Sequence, residues 1–155
     1  MKKPLLATLL LAAASTPAAA VTGTVTFSGV VTETCTINVD SPGTLAANTD
    51  LTALSTNEAG GTAGVATIQT TGSSFSVSAA APAVFTSAPA GGEANVTFAT
   101  LYSATGATNL VDIVGDTPSA LAQGTTTLSV DLTATKSSGS FPGGNYSADV
   151  VVTCE

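Results

Sequence analysis

The chain has 155 residues with no His, no Trp, two Cys and 15 Gly, and its three Lys+Arg face ten Asp+Glu for a formal charge of −7. Only 8% of residues are charged while 44% are hydrophobic, and Thr and Ser fill much of the remainder, so the surface is solvated by hydroxyls. A surface of this sign repels phosphate backbones and anionic headgroups and lacks clustered Lys and Arg, which excludes nucleic acid and lipid surfaces as partners.

Residues 1–20, MKKPLLATLLLAAASTPAAA, have the form of a secretory signal. Lys2 and Lys3 precede an apolar stretch from Leu5 to Ala14, Pro17 breaks it, and Ala18 and Ala20 supply an A-x-A cleavage site. The apolar stretch falls short of the roughly 20 residues a bilayer span requires, and no later run reaches that length, so no membrane span is expected after cleavage. Residues 21–155 are then expected to form one domain of adequate size for a buried core. Its charge becomes −9, since ten carboxylates face only Lys136. Export also places Cys35 and Cys154 in an oxidising compartment, where two cysteines of a small domain pair, so a disulfide is expected.

From Val21 to Asp40 the sequence alternates, with Val21, Val25, Phe27, Val31, Cys35, Ile37 and Val39 opposed by Thr22, Thr24, Thr26, Thr32, Thr34, Thr36 and Asn38. This period of two predicts an extended strand, with Gly29 and Glu33 marking a bulge or sheet switch. Leu45 to Glu58 reads as a helical turn or loose strand. Shorter strands are predicted over 65–70, 74–79 with Phe75 and Val77 inward, 94–102 with Val96 and Phe98 inward, and 110–114. Ala79 to Pro89 reads as a crossing loop. Thr125 to Thr135 is the clearest strand, its Leu128, Val130, Leu132 and Ala134 alternating with Thr127, Ser129, Asp131 and Thr133. The last segment alternates from Tyr146 through Val150 and Val152 to Cys154, so both cysteines keep step with apolar neighbours and the first and last strands must lie close. Gly- and Pro-rich turns separate these segments, and six or seven short strands of this kind predict a sandwich or barrel, an all-β fold.

Without His, Ser-His-Asp triads and ordinary zinc sites cannot be built, so no catalytic residue, metal or cofactor is expected. Asp112 with Asp116, or Glu33 with Asp149, are the conceivable carboxylate pairs for a glycosidase, but nothing indicates a cleft that would raise one pKa. Asp40, Asp112 and Asp116 lack the dense pattern of a calcium loop. Asn95-Val96-Thr97 and Asn145-Tyr146-Ser147 match the N-glycosylation acceptor but fall in predicted strands.

Gly23-Thr24-Val25-Thr26-Phe27-Ser28-Gly29, with Cys35 six residues on, resembles the first strand of type 1 fimbrial (chaperone-usher) pilins. Leu128 to Ala134 followed by Pro142-Gly143-Gly144-Asn145-Tyr146 and the stretch to Val152 is similar to that family's closing strand pair. The match covers about the first 20 and last 30 residues after the signal. Spore-coat-U-like secreted domains offer a second resemblance. The pilin resemblance implies an incomplete immunoglobulin-like β-sandwich whose missing strand is donated, first by a periplasmic chaperone and then by the next subunit.

Two features depart from the family. Cys154 stands where a pilin more often has an aromatic residue, and only Val21 and Thr22 precede the pilin-like strand. Either Val21 to Val31 is itself the donor and the fold starts near Thr32, or the chain does not polymerise as a standard pilin does, which points toward the spore-coat-U-like domains. The expectation is an exported structural or adhesive subunit at the cell surface, with other pilin subunits, a chaperone and surface glycans as candidate partners. Val25, Phe27, Leu128, Val130, Leu132, Val150 and Val152 are the expected core or groove residues. The alternatives are a self-contained sandwich that binds carbohydrate or coats the envelope, and, more remotely, a carboxylate glycosidase.

Overall fold

The structure, a computed structural model, describes residues 18–155, so the expected signal segment lies outside the described residues except for Ala18, Ala19 and Ala20. The chain divides between Val31 and Thr32 into two units. In the first, residues 18–31 form no strand and are exposed. The second, Thr32–Glu155, holds ten strands in two antiparallel sheets, and no helix occurs among the described residues.

The larger sheet is organised by its longest strand, β9 (Gly124–Lys136). Here the sequence alternation becomes burial: Leu128, Leu132 and Ala134 are inside and Val130 is nearly so, while the residues between them face outward. One edge of β9 pairs along its whole length with β6 (Val96–Gly106), which carries β7 (Leu110–Val114) outside it. The other edge pairs with β4 (Gly64–Thr70) and β3 (Ala53–Ser55), and these carry β1 (Cys35–Ser41) and β2 (Ala46–Ala47). The smaller sheet runs β10 (Val151–Cys154), β5 (Ser76–Ala80), β8 (Ser119–Ala120).

The two sheets close over Ile68, Val77, Ala79, Tyr102, Ala104, Leu121, Leu128 and Val130, so the fold is a β-sandwich. Tyr102 crosses this core. Its hydroxyl donates to the Thr117 carbonyl at 2.6 Å, with Ser119 Oγ as an alternative acceptor at 2.7 Å, which satisfies the polar end of a fully buried ring. A second cluster, Leu54, Phe85, Ala134 and Phe141, fills one end of the sandwich with Phe98 and Tyr146 packed against it. Phe85 meets Phe98 edge-on at 4.8 Å and Phe141 at 6.1 Å. The predicted crossing loop therefore supplies a core anchor, Phe85, that its Ala- and Pro-rich composition did not mark.

Gly115 joins the sheets. Its N–H donates to the Thr100 carbonyl of β6 at 2.9 Å, and its own carbonyl accepts from Ala79 N–H of β5 at 2.6 Å. A Cβ at this position would collide with the Ala79 carbonyl and the Thr100 side chain. Gly115→Ala is therefore expected to cost about 1–3 kcal/mol or more through overpacking, measured as a lower midpoint in urea unfolding.

Three predicted elements differ. The long first strand is confined to Cys35–Ser41, because only that part finds a partner, β4; residues 21–34 alternate but form no strand. The bulge falls between Val39 and Ser41 rather than at Gly29 or Glu33, and the Glu33 carboxylate instead accepts a hydrogen bond from Ser74 Oγ. The terminal strand is Val151–Cys154 alone, since Tyr146 is drawn into the aromatic cluster and Ser147 makes an isolated bridge to Ser87. The Leu45–Glu58 segment takes the strand alternative of its reading and holds β2 and β3.

Candidate functional site

β1 and β10 each lie at an edge of their sheet, and each leaves one row of backbone N–H and C=O groups without a neighbouring strand among the described residues. The two are joined at one end by the Cys35–Cys154 disulfide, with Cα atoms 6.4 Å apart. Beyond it they separate. Between Val39–Ser41 on one side and Tyr146–Val152 on the other lies an open groove of about 450 Å³.

The groove is apolar because several strands contribute the inward side of their alternation to it. Its apolar lining is Val39 of β1, Ala66 of β4, Val130 and Leu132 of β9, and Val150 and Val152 of the C-terminal segment, with Leu45 and Ala148; Ser41, Thr56 and Asp149 add polar groups at its border. Val130 and Leu132 are buried, and Val150 and Val152 half-buried. Val39 is 73% exposed although it belongs to a paired strand. A strand laid along this edge would cover that side chain.

Of the residues expected from sequence, Val130, Leu132, Val150 and Val152 therefore meet around one groove, while Leu128 lies deeper, in the core between the sheets. Val25 and Phe27 do not line the core: they belong to the first unit and are 74% and 90% exposed. Their strand-like spacing is not matched by strand formation or burial. Tyr146 went unmarked as a groove residue, yet its ring borders the groove and its hydroxyl donates to the Pro142 carbonyl at 2.7 Å. Burial pushes that phenol above its usual pKa.

No family model, curated protein or solved structure matches this chain.

The carboxylates are engaged one at a time. Thr86 Oγ1 donates to Asp149 at 2.9 Å, Thr56 Oγ1 to Asp131 at 2.6 Å, and Thr67 Oγ1 and Asn38 Nδ2 both to Asp40 at 2.7 Å. Asp112 lies opposite a register shift in β6, with positive φ, and its N–H donates to Ser103 Oγ at 3.0 Å. Among the described residues no three of Asp, Glu and Cys gather as metal ligands.

Lys136, the last residue of β9, is buried. Its ammonium donates to the Gly91 and Ala94 carbonyls at 3.0 and 2.7 Å and stands 5.2 Å from the Phe141 ring centre. It thus fixes the 91–95 turn against the end of the sandwich. Lys136→Met keeps the stem but leaves both carbonyls without their donor, and is expected to cost about 1–3 kcal/mol in thermal unfolding.

Proposed function

We propose that the chain is an exported, non-enzymatic β-sandwich of the fimbrial-subunit type that builds a cell-surface assembly by β-strand addition. Residues Val21–Val31 of one copy serve as the added strand, and the groove between β1 and β10 of the next copy receives it. The observation that carries this reading is the apolar groove flanked by two strand edges that lack neighbours. An extended peptide laid there gains backbone hydrogen bonds along those edges and seats alternate side chains on the apolar floor.

Val21–Val31 has the matching chemistry. Val21, Val25, Phe27 and Val31 share one side, Gly23 and Gly29 interrupt them, and the opposite side is mainly Thr and Ser. Its valines and Phe27 are exposed, and it belongs to no strand. The incomplete immunoglobulin-like arrangement implied by the pilin resemblance accounts for both features, and a periplasmic chaperone would occupy the same groove before assembly. The disulfide is compatible with an oxidising compartment outside the cytosol. Contacts of this head-to-tail type do not close on themselves and so propagate into fibres.

Electrophoresis without boiling tests the reading. Mature protein is expected to run as a ladder that heating reduces to a single band. A monomer at every concentration on a sizing column would instead favour a self-contained sandwich.

A further inference from the structure

The two N-glycosylation sequons differ in their surroundings. Asn95 lies in the turn before β6, with a left-handed backbone at φ 58°. Glu93, Ala94, Asn95 and Thr97 are all exposed, and among the described residues the Asn95 amide group makes no side-chain hydrogen bond. The turn is nonetheless held from behind, by Lys136 on the Gly91 and Ala94 carbonyls and by Ser137 N–H, which donates to the Asn95 carbonyl at 2.9 Å. The acceptor amide is thus presented outward on a fixed turn, and a bulky group on it would meet solvent.

Asn145 is exposed as well, and both sequons run into paired backbone: Thr97 lies in β6 opposite Thr135, to whose carbonyl its hydroxyl donates at 3.4 Å. Tyr146 packs against Phe85 at 5.1 Å, and Ser147 exchanges backbone hydrogen bonds with Ser87 in both directions. Two positions before Asn145 stands Gly143, whereas two positions before Asn95 stands Glu93. Glu93-Ala94-Asn95-Val96-Thr97 therefore also supplies the carboxylate demanded by the acid-reading class of N-oligosaccharyltransferases.

We propose that Asn95 is an N-glycan acceptor, modified by a polyprenyl-diphosphate-linked oligosaccharide; the proposal rests on the export reading above. Asn95 Nδ2 forms a bond to the anomeric carbon of the sugar, and the bond from that carbon to the diphosphate oxygen breaks. The diphosphate leaves with the electron pair, and Nδ2 gives up one proton to a base of the transferase. The acceptor consensus in an exported chain marks a surface position, and the structure meets that condition at Asn95 with a free amide.

The test is the mass of the protein purified from its own host, with the proteolytic peptide carrying Asn95 sequenced. A protein lacking residues 1–20 and heavier by one oligosaccharide on Asn95 is expected. Asn95→Asp, which tolerates the left-handed backbone, and Glu93→Gln should both lose the increment, and Asn145→Asp should keep it. A cleaved protein with bare Asn95 would overturn this proposal alone, as would sugar on Asn145 instead. A chain that retains residues 1–20 and carries no sugar would overturn the export reading with it. An increment that survives Glu93→Gln would overturn the assignment to an acid-reading transferase.

Discussion

Cys154→Ser is expected to lower the unfolding free energy by about 4–5 kcal/mol, because the bridge to Cys35 closes a loop with a sequence separation of 119 and its loss returns that loop entropy to the unfolded chain. Cys35→Ser should match it, and the double variant should cost no more than either one, since both remove the same bond. The effect reaches beyond stability. The bridge holds the edge strand of one sheet to the edge strand of the other at the end of the groove, so without it β10 keeps its pairing with β5 and the packing of Val152 on the core but loses its tie to β1. Urea unfolding with and without reductant reads the magnitude. Equal midpoints for variant and parent would show that the bridge does not constrain the chain.

Phe27→Asp is expected to abolish assembly while leaving the fold unchanged. Phe27 is 90% exposed in the single chain and contributes nothing to its core, so the monomer should unfold at the parent's midpoint. In an assembly the same ring would be seated on apolar side chains. Removing it forfeits on the order of 2–3 kcal/mol, and burying an unpaired carboxylate in its place adds several more. A loss of this size weakens association by a hundredfold or more. Leu128→Ala provides the opposite case: it lies in the core and should cost about 2–5 kcal/mol of folding stability. Sizing chromatography and thermal unfolding on the same samples separate the two kinds of effect.

The all-β class and the central strand were legible in the sequence because a two-residue period over β-branched and apolar residues has one structural outcome when a partner is available. Thr125–Thr135 became β9 with the predicted residues inward. The cysteine pair was legible from its count and from the expected export. Val21–Asp40 shows the limit of the same signal. Alternation reports that one side of a segment is suited to burial, but not whether the covering surface lies in the same chain, and the apolar side of residues 21–31 stays exposed.

The aromatic cluster was missed for a different reason. Phe85, Phe141 and Tyr146 are single large side chains in irregular Pro- and Gly-rich segments, where no period announces them, and their meeting depends on long-range packing. The groove was legible in part. Val130, Leu132, Val150 and Val152 followed from alternation and from the pilin resemblance, whereas the contributions of Val39 and Leu45 depend on how strands distant in sequence come together.

A peptide with the sequence of residues 21–31, titrated into the Phe27→Asp protein, measures the acceptor directly, because that variant's own segment no longer competes. Saturable binding of one peptide per chain is predicted, with a melting temperature that rises with peptide concentration as a ligand of the folded state requires. A second substitution, Val150→Asp on the groove wall, should weaken that binding strongly. Absence of binding, or binding unaffected by Val150→Asp, would contradict strand addition at this groove.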